Sequence, residues 1–121
     1  VWASVLKTHR IQTIFFGGGS PSYLPVNDLK RILDLVRTNF GCDLSEITIE
    51  VNPNDIEYKN IDGFLDMGIN RVSIGTQSFQ DSILKTLGRT HSADTAIECY
   101  KKLKLFEKYG VDFIINIKFI Y

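Results

Sequence analysis

The segment Gly17-Gly18-Gly19-Ser20 follows directly on the strand-like run Ile11–Phe16 and leads into Pro21. Glycine has no Cβ, so the backbone here can turn with positive φ and approach a ligand closely. The stretch from Val26 to Phe40 reads as a helix, which puts the glycines at a strand-to-helix turn. Backbone N–H groups at such a turn can cradle an anion or an amino-acid head group. The bland alternative is a tight turn and nothing more.

Other polar residues recur at corresponding places. Glu50 closes the alternating run Ile47–Val51, just before Asn52-Pro53. Gly75-Thr76-Gln77-Ser78 follows the run Arg71–Gly75, and Asn116 and Lys118 lie between Ile115, Ile117 and Phe119. Each has a plain structural reading beside the chemical one. Glu50 could be a solvated edge residue, Gln77 a turn cap, and Arg89, in Leu87-Gly88-Arg89-Thr90-His91, a solvated side chain. His91 has no neighbouring base, nucleophile or ligand in sequence, so it reads as a cap or surface residue rather than a catalytic one. Lys118 inside a strand needs a partner: it either reaches an anion or faces water.

Apolar spacing alternates between strand and helix character along the whole chain. The strands are expected at Ile11–Phe16, Ile47–Val51, Arg71–Gly75 and Phe113–Tyr121. The intervening helices are Val26–Phe40, with Leu29, Ile32, Leu33, Leu35 and Val36 at helical spacing, then Ile56–Met67, Asp81–Leu87 and Ala93–Tyr109. Asn27 or Asp28 could cap the first helix, and Gly41 could end it. A βαβαβαβ order with short connections predicts an α/β fold with about four parallel strands. It suits either part of a (β/α)₈ barrel or an open doubly wound sheet. Both architectures gather ligand groups at the carboxyl ends of the strands, where the polar and glycine residues fall.

Composition narrows the classes. The 121 residues suffice for one small domain, and 44% hydrophobic with 23% charged residues suit a globular chain. Fourteen basic residues balance fourteen acidic ones, so no net field favours nucleic acid or an anionic membrane. No apolar run approaches the ~20 residues of a membrane span. Cys42 and Cys99 stand far apart without ligand-spaced partners, which predicts free thiols in a reducing compartment rather than secretion. Val1 and an apolar run at Tyr121 suggest an internal piece of a longer protein, part of a single core domain over 1–121. Half a sheet with unpaired edges would then be marginal on its own.

Familiar motifs fail on detail. A P-loop needs Gly-Lys-Ser/Thr, where this chain has Gly19-Ser20-Pro21. The dinucleotide fingerprint needs a third glycine where Ser22 stands, and Glu50 lies well beyond the ~20 residues expected for its ribose-binding acid. There is no zinc-type His/Cys cluster and no Gly-x-Ser-x-Gly elbow.

The ordered segments do match one family. Phe15–Ser22 resembles the Gly-Gly-Gly-Thr-Pro segment of radical S-adenosylmethionine (SAM) enzymes related to oxygen-independent coproporphyrinogen III oxidase. Glu50-Val-Asn-Pro53, Gly75-Thr-Gln-Ser-Phe79 and Leu87-Gly-Arg-Thr-His-Ser92 are similar to the next signatures in order, and Asn116–Tyr121 resembles the family's Asn-Ile-Asp-Leu-Ile-Tyr strand. Thr76–Phe79 and Gly88–Ser92 resemble the HemW-type haem chaperones more than the oxidases. The resemblance covers essentially the whole chain and implies part of a (β/α) barrel carrying the second to fifth strands of the radical SAM core.

It also implies roles. Gly18, Gly19 and Ser20 would contact the SAM amino group, Glu50 a polar part of SAM, and Gln77 and Arg89 would complete the pocket, with Lys118 beside it. The implied cofactors are SAM and a [4Fe–4S] cluster, with haem or another tetrapyrrole as cargo and a haem-accepting protein as partner. A bacterial cytoplasm and a mitochondrial matrix both suit the family. Two departures stand out. The Cys-x₃-Cys-x₂-Cys cluster loop, upstream in the family, is absent, so this piece is not expected to cleave SAM by itself. Lys118 replaces an aspartate, reversing a charge. Ser20 for threonine keeps the hydroxyl. The alternatives are the oxidase itself, which decarboxylates coproporphyrinogen III through a 5′-deoxyadenosyl radical, and a catalytically degenerate binding module.

Overall fold

The computed structural model describes residues 10–56, 58–104, 107 and 110–117. The strands are β1 (Arg10–Phe16), β2 (Gly41–Val51), β3 (Arg71–Gln77) and β4 (Asp112–Ile117). The helices are α1 (Val26–Asn39), α2 (Tyr58–Asp66), α3 (Asp81–Thr86) and α4 (Ala93–Lys104), with short 3₁₀ turns at Pro21–Tyr23 and Pro53–Asp55. The strands pair in parallel in the order β1-β2-β3-β4, so an α/β architecture of four parallel strands with intervening helices is present as expected.

Strand alternation gives the sheet two different faces. Ile47, Ile49 and Val51 of β2 and Val72 and Ile74 of β3 join Leu29 and Leu33 of α1, Ile61 and Phe64 of α2, and Cys99 and Leu103 of α4 in one core. The residues between them, Glu46, Thr48 and Glu50 on β2 and Arg71, Ser73, Gly75 and Gln77 on β3, share the opposite face. That face is polar from end to end. At its amino end Arg71 donates to Glu46 at 2.7 Å, and Glu46 also accepts from the Thr48 hydroxyl at 2.9 Å. Hydrogen bonds from Thr48 and then Arg71 hold the Glu46 carboxyl below its usual range.

Several local boundaries differ from the sequence reading. β2 starts at Gly41 instead of Ile47, because Arg10 and Ile11 of β1 pair with Gly41 and Cys42 across a bulge between Ile11 and Thr13. Gly41 is therefore the first residue of a strand, and Phe40 in extended conformation ends α1. The start of α1 has no side-chain cap from Asn27 or Asp28; Pro25 occupies the cap position, and its carbonyl accepts from the Asp28 and Leu29 N–H groups. Only Leu29 and Leu33 of the α1 stripe are buried, whereas Ile32 is 45% and Leu35 63% exposed. The fully buried part of the stripe is one row at four-residue spacing, with Val26 half-buried beside it. In α2, Gly63 admits close packing: a Cβ there would lie 2.6 Å from Val26 Cγ1 of α1. The far end of the expected helix to Tyr109 and the strand end from Lys118 to Tyr121 lie outside the described residues.

This division of α1 is testable. Leu33→Ala, at a fully buried position, is expected to cost about 2–5 kcal/mol, read as a lowered urea midpoint at unchanged slope. Ile32→Ala, one residue away on the solvent side, is expected to stay within about 0.5 kcal/mol.

Candidate ligand site at the carboxyl ends of the strands

The loop after β1 turns back through Gly18 at φ 80° and Gly19 at φ 58°. An L side chain in this left-handed region costs roughly 1–2 kcal/mol, so glycine is the fitting residue at both places. The Gly18 N–H donates to Glu50 Oε2 at 3.0 Å. The glycine loop thus spends one of its donors on a carboxylate of its own chain, and the bond ties the end of β1 to the end of β2. Past Pro21, buried Ser22 ties the next turn down: its hydroxyl donates to Asp55 Oδ2 and accepts from the Asn52 N–H, each at 3.1 Å.

At the last residue of β3, Gln77 has φ 66°, unlike every other described non-glycine residue. A side chain held this way stores about 1–3 kcal/mol, a cost characteristic of ligand clamps and active sites. Its Oε1 is buried without a hydrogen-bond partner. A buried acceptor left unpaired costs about 1–3 kcal/mol, which a ligand donor would offset. Arg89, in the loop after α3, donates from Nη2 to the Gly75 carbonyl at 3.2 Å and keeps its remaining N–H groups for other acceptors.

These groups meet. A cavity of about 140 Å³ is lined by Gly19, Ser20, Glu50, Gln77 and Arg89, with Ser73 and Asn116 behind them. Gly18 lies one bond away, on Glu50, and Lys118 is outside the described residues. Asn116 stands out in the sequence beside Lys118 among the polar residues of the strands, whereas Ser73 does not; Asn116 Nδ2 donates to the Ser73 hydroxyl at 2.7 Å, joining β4 to β3 on the polar face. The signal that could have found Ser73 is its two-residue spacing from Gly75 and Gln77. A complete small-molecule pocket spans about 300–1,000 Å³, so these residues form one part of a larger site.

His91 departs from its sequence reading. It is 4% exposed, not a surface residue, and its Nε2 lies 2.9 Å from the Thr76 carbonyl. Its position after the Gly88 turn looked solvated because nothing local shows that the loop folds back under β3.

Chemically, the cavity offers a carboxylate and a hydroxyl to a cationic or hydroxylated group, a guanidinium to an anionic one, and an amide acceptor awaiting a donor. That set suits a zwitterionic head group. Among the described residues, no three His, Cys, Asp or Glu side chains stand close enough to hold a metal. Cys99 lies in the core, and burial pushes its thiol up to about 11. We expect Cys99 to resist iodoacetamide at about pH 8 in the native protein and to react fully after denaturation, as mass spectrometry would show; the thiolate is the nucleophile and is scarce below the raised pKa.

Comparison with known proteins agrees with this layout. The radical SAM superfamily profile matches residues 2–119, and the chain belongs to that superfamily. Within it, the similarity runs to the HemW-type branch of the coproporphyrinogen oxidase-like group. The chain is 38% identical over 111 residues to the heme chaperone HemW of Synechocystis, covering 88% of this chain and 27% of that protein. It is 37% identical over 106 residues to HemW of Buchnera aphidicola from Schizaphis graminum, covering 87% and 28%. The mouse mitochondrial radical S-adenosyl methionine domain-containing protein 1 is 34% identical over 111 residues, covering 89% and 25%. The structure superimposes on the radical SAM enzyme coproporphyrinogen III oxidase (HemN) of Escherichia coli with a TM-score of 0.81 and 26% identity, over 95% of this chain and 26% of that one. The chain therefore spans about a quarter of the length of the proteins it matches.

Proposed function

We propose that this chain forms the SAM-holding wall of a HemW-type haem chaperone. The observation that carries the SAM reading is the meeting of Glu50, Arg89 and the unpartnered Gln77 amide beside a positive-φ glycine loop. Gly18, Gly19 and Ser20 receive the SAM ammonium through backbone carbonyls and hydroxyl. Glu50, fixed by the Gly18 N–H, accepts from a polar group of the same ligand. Arg89 takes the carboxylate with the donors it does not use on Gly75, and Gln77 Oε1 accepts a ligand donor. In this reading Lys118, which lies outside the described residues, stands in place of the family's aspartate. SAM and a [4Fe–4S] cluster, when bound, supply reductive cleavage of the sulfonium. Among the described residues no three His, Cys, Asp or Glu side chains form a cluster-binding set, and the roles given to this chain are in holding SAM.

Haem as cargo, with a haem-accepting protein as partner, rests on relatives that are named heme chaperones. Bacterial and mitochondrial relatives point to a cytoplasmic or mitochondrial setting, and no helix among the described residues is long and apolar enough to cross a membrane. The second reading, oxidative decarboxylation of coproporphyrinogen III, draws on the structural match to the E. coli oxidase.

Two measurements on the full-length protein test this. In anaerobic calorimetry, Glu50→Ala and Arg89→Ala are each expected to weaken SAM binding by about 10–100-fold, the worth of a hydrogen bond to a charged group. Anaerobic incubation with coproporphyrinogen III, SAM, a reductant and an electron acceptor is expected to leave the substrate unchanged while added haem is retained; formation of protoporphyrinogen would select the oxidase.

A further inference from the structure

Thr76, Gln77 and Ser78 form a γ-turn of the rarer hand. Gln77 has φ 66°, and the Ser78 N–H donates back to the Thr76 carbonyl at 2.8 Å. Such a strained turn persists only where the surroundings over-determine it. The surroundings here are specific. The Thr76 carbonyl takes a second hydrogen bond from His91, whose Nε2 stands 2.9 Å away. A carbonyl only accepts, so Nε2 carries a proton, and the ring is turned so that this one bond is made. The other nitrogen, Nδ1, is buried and has no partner. Thr76 is 2% and His91 4% exposed, so water does not readily replace the bond.

The residues before His91 act on the same strand ends. Arg89 Nη2 donates to the Gly75 carbonyl, and the Thr90 hydroxyl accepts from Asn54 Nδ2 at 3.0 Å. Three consecutive side chains thus bind the loop after α3 to the end of β3 and to the Pro53–Asp55 turn that follows β2. A buried histidine that leaves one nitrogen unsatisfied in order to hold a strained carbonyl is difficult to explain by packing, which a leucine would serve without the polar cost.

We propose that His91 is a positioning residue: by clamping the Thr76 carbonyl it holds the Gln77 γ-turn and keeps the Gln77 amide directed to the cavity. Its consequence for binding rests on the SAM reading above; the clamp itself does not.

The test uses two variants of the full-length protein. His91→Leu keeps the bulk and removes the donor, whereas His91→Gln places an amide N–H near the position of Nε2. Hydrogen exchange at the Ser78 amide reads the turn directly, and calorimetry reads SAM affinity. His91→Leu is expected to speed Ser78 exchange and to weaken SAM binding, each by about tenfold, the scale of one buried hydrogen bond. His91→Gln is expected to stay within about twofold of the parent on both. Unchanged Ser78 exchange in His91→Leu, or equal impairment in His91→Gln, would overturn the clamp. Should His91→Leu not fold, His91→Gln decides: near-parental exchange supports the clamp and fast exchange refutes it. If Ser78 responds as expected while Glu50→Ala and Gln77→Ala leave SAM affinity untouched, the clamp stands and the SAM reading falls. If those two weaken SAM and His91→Leu leaves Ser78 exchange unmoved, the SAM reading stands and the clamp falls.

Discussion

Parallel pairing of Ile49 with Val72 and of Glu50 with Ser73 sends alternate residues of neighbouring strands to opposite faces in step. A slip of one residue would turn Ile49 and Ile74, both fully buried, toward the polar side and bring Glu50 into the core. The hydrophobic cost of that exchange is what sets the register, and the register in turn sets the site. Because every strand runs the same way, each delivers its carboxyl end to one edge, and the residues just past those ends must meet there.

Cross-links between strand ends then refine what the register begins. Gly18 to Glu50 ties the first loop to β2, and Arg89 and His91 tie a later loop to β3. Asn70 does similar work at the opposite end: its Oδ1 accepts from the Ile47 N–H at 2.8 Å and its Nδ2 donates to the Ser45 carbonyl at 2.9 Å, joining the entry of β3 to β2. The backbone at this edge is strained at Gln77, with positive φ, above an apolar core. Strain concentrated at one edge of a well-packed sheet is the pattern expected where a ligand, rather than the fold, supplies the last contacts.

Much of this was legible from residue order. Alternation in Ile47–Val51 and Arg71–Gly75, four-residue spacing in the helices, and glycine punctuation between them were enough for four parallel strands and for bringing the Gly17–Ser20 segment, Glu50 and Gln77 to one edge, whereas Arg89 reads as solvated and joins them only through the family resemblance. What was not legible depends on contacts between distant residues. The early start of β2 follows from pairing with β1 across a bulge, which no local pattern records. Burial of His91 follows from a loop folding back on a carbonyl fifteen residues earlier in the chain. Exposure of Ile32 and Leu35 shows the same limit in reverse, since helical spacing identifies an apolar stripe but not how wide a strip the sheet can cover.

The central claim is that this edge of the sheet presents SAM to a radical SAM cluster. It is tested most directly by anaerobic reconstitution of the full-length protein, with the reduced cluster followed by electron paramagnetic resonance before and after addition of SAM. The account predicts a [4Fe–4S] signal that shifts when SAM is added. A cluster signal that stays the same at saturating SAM would contradict it.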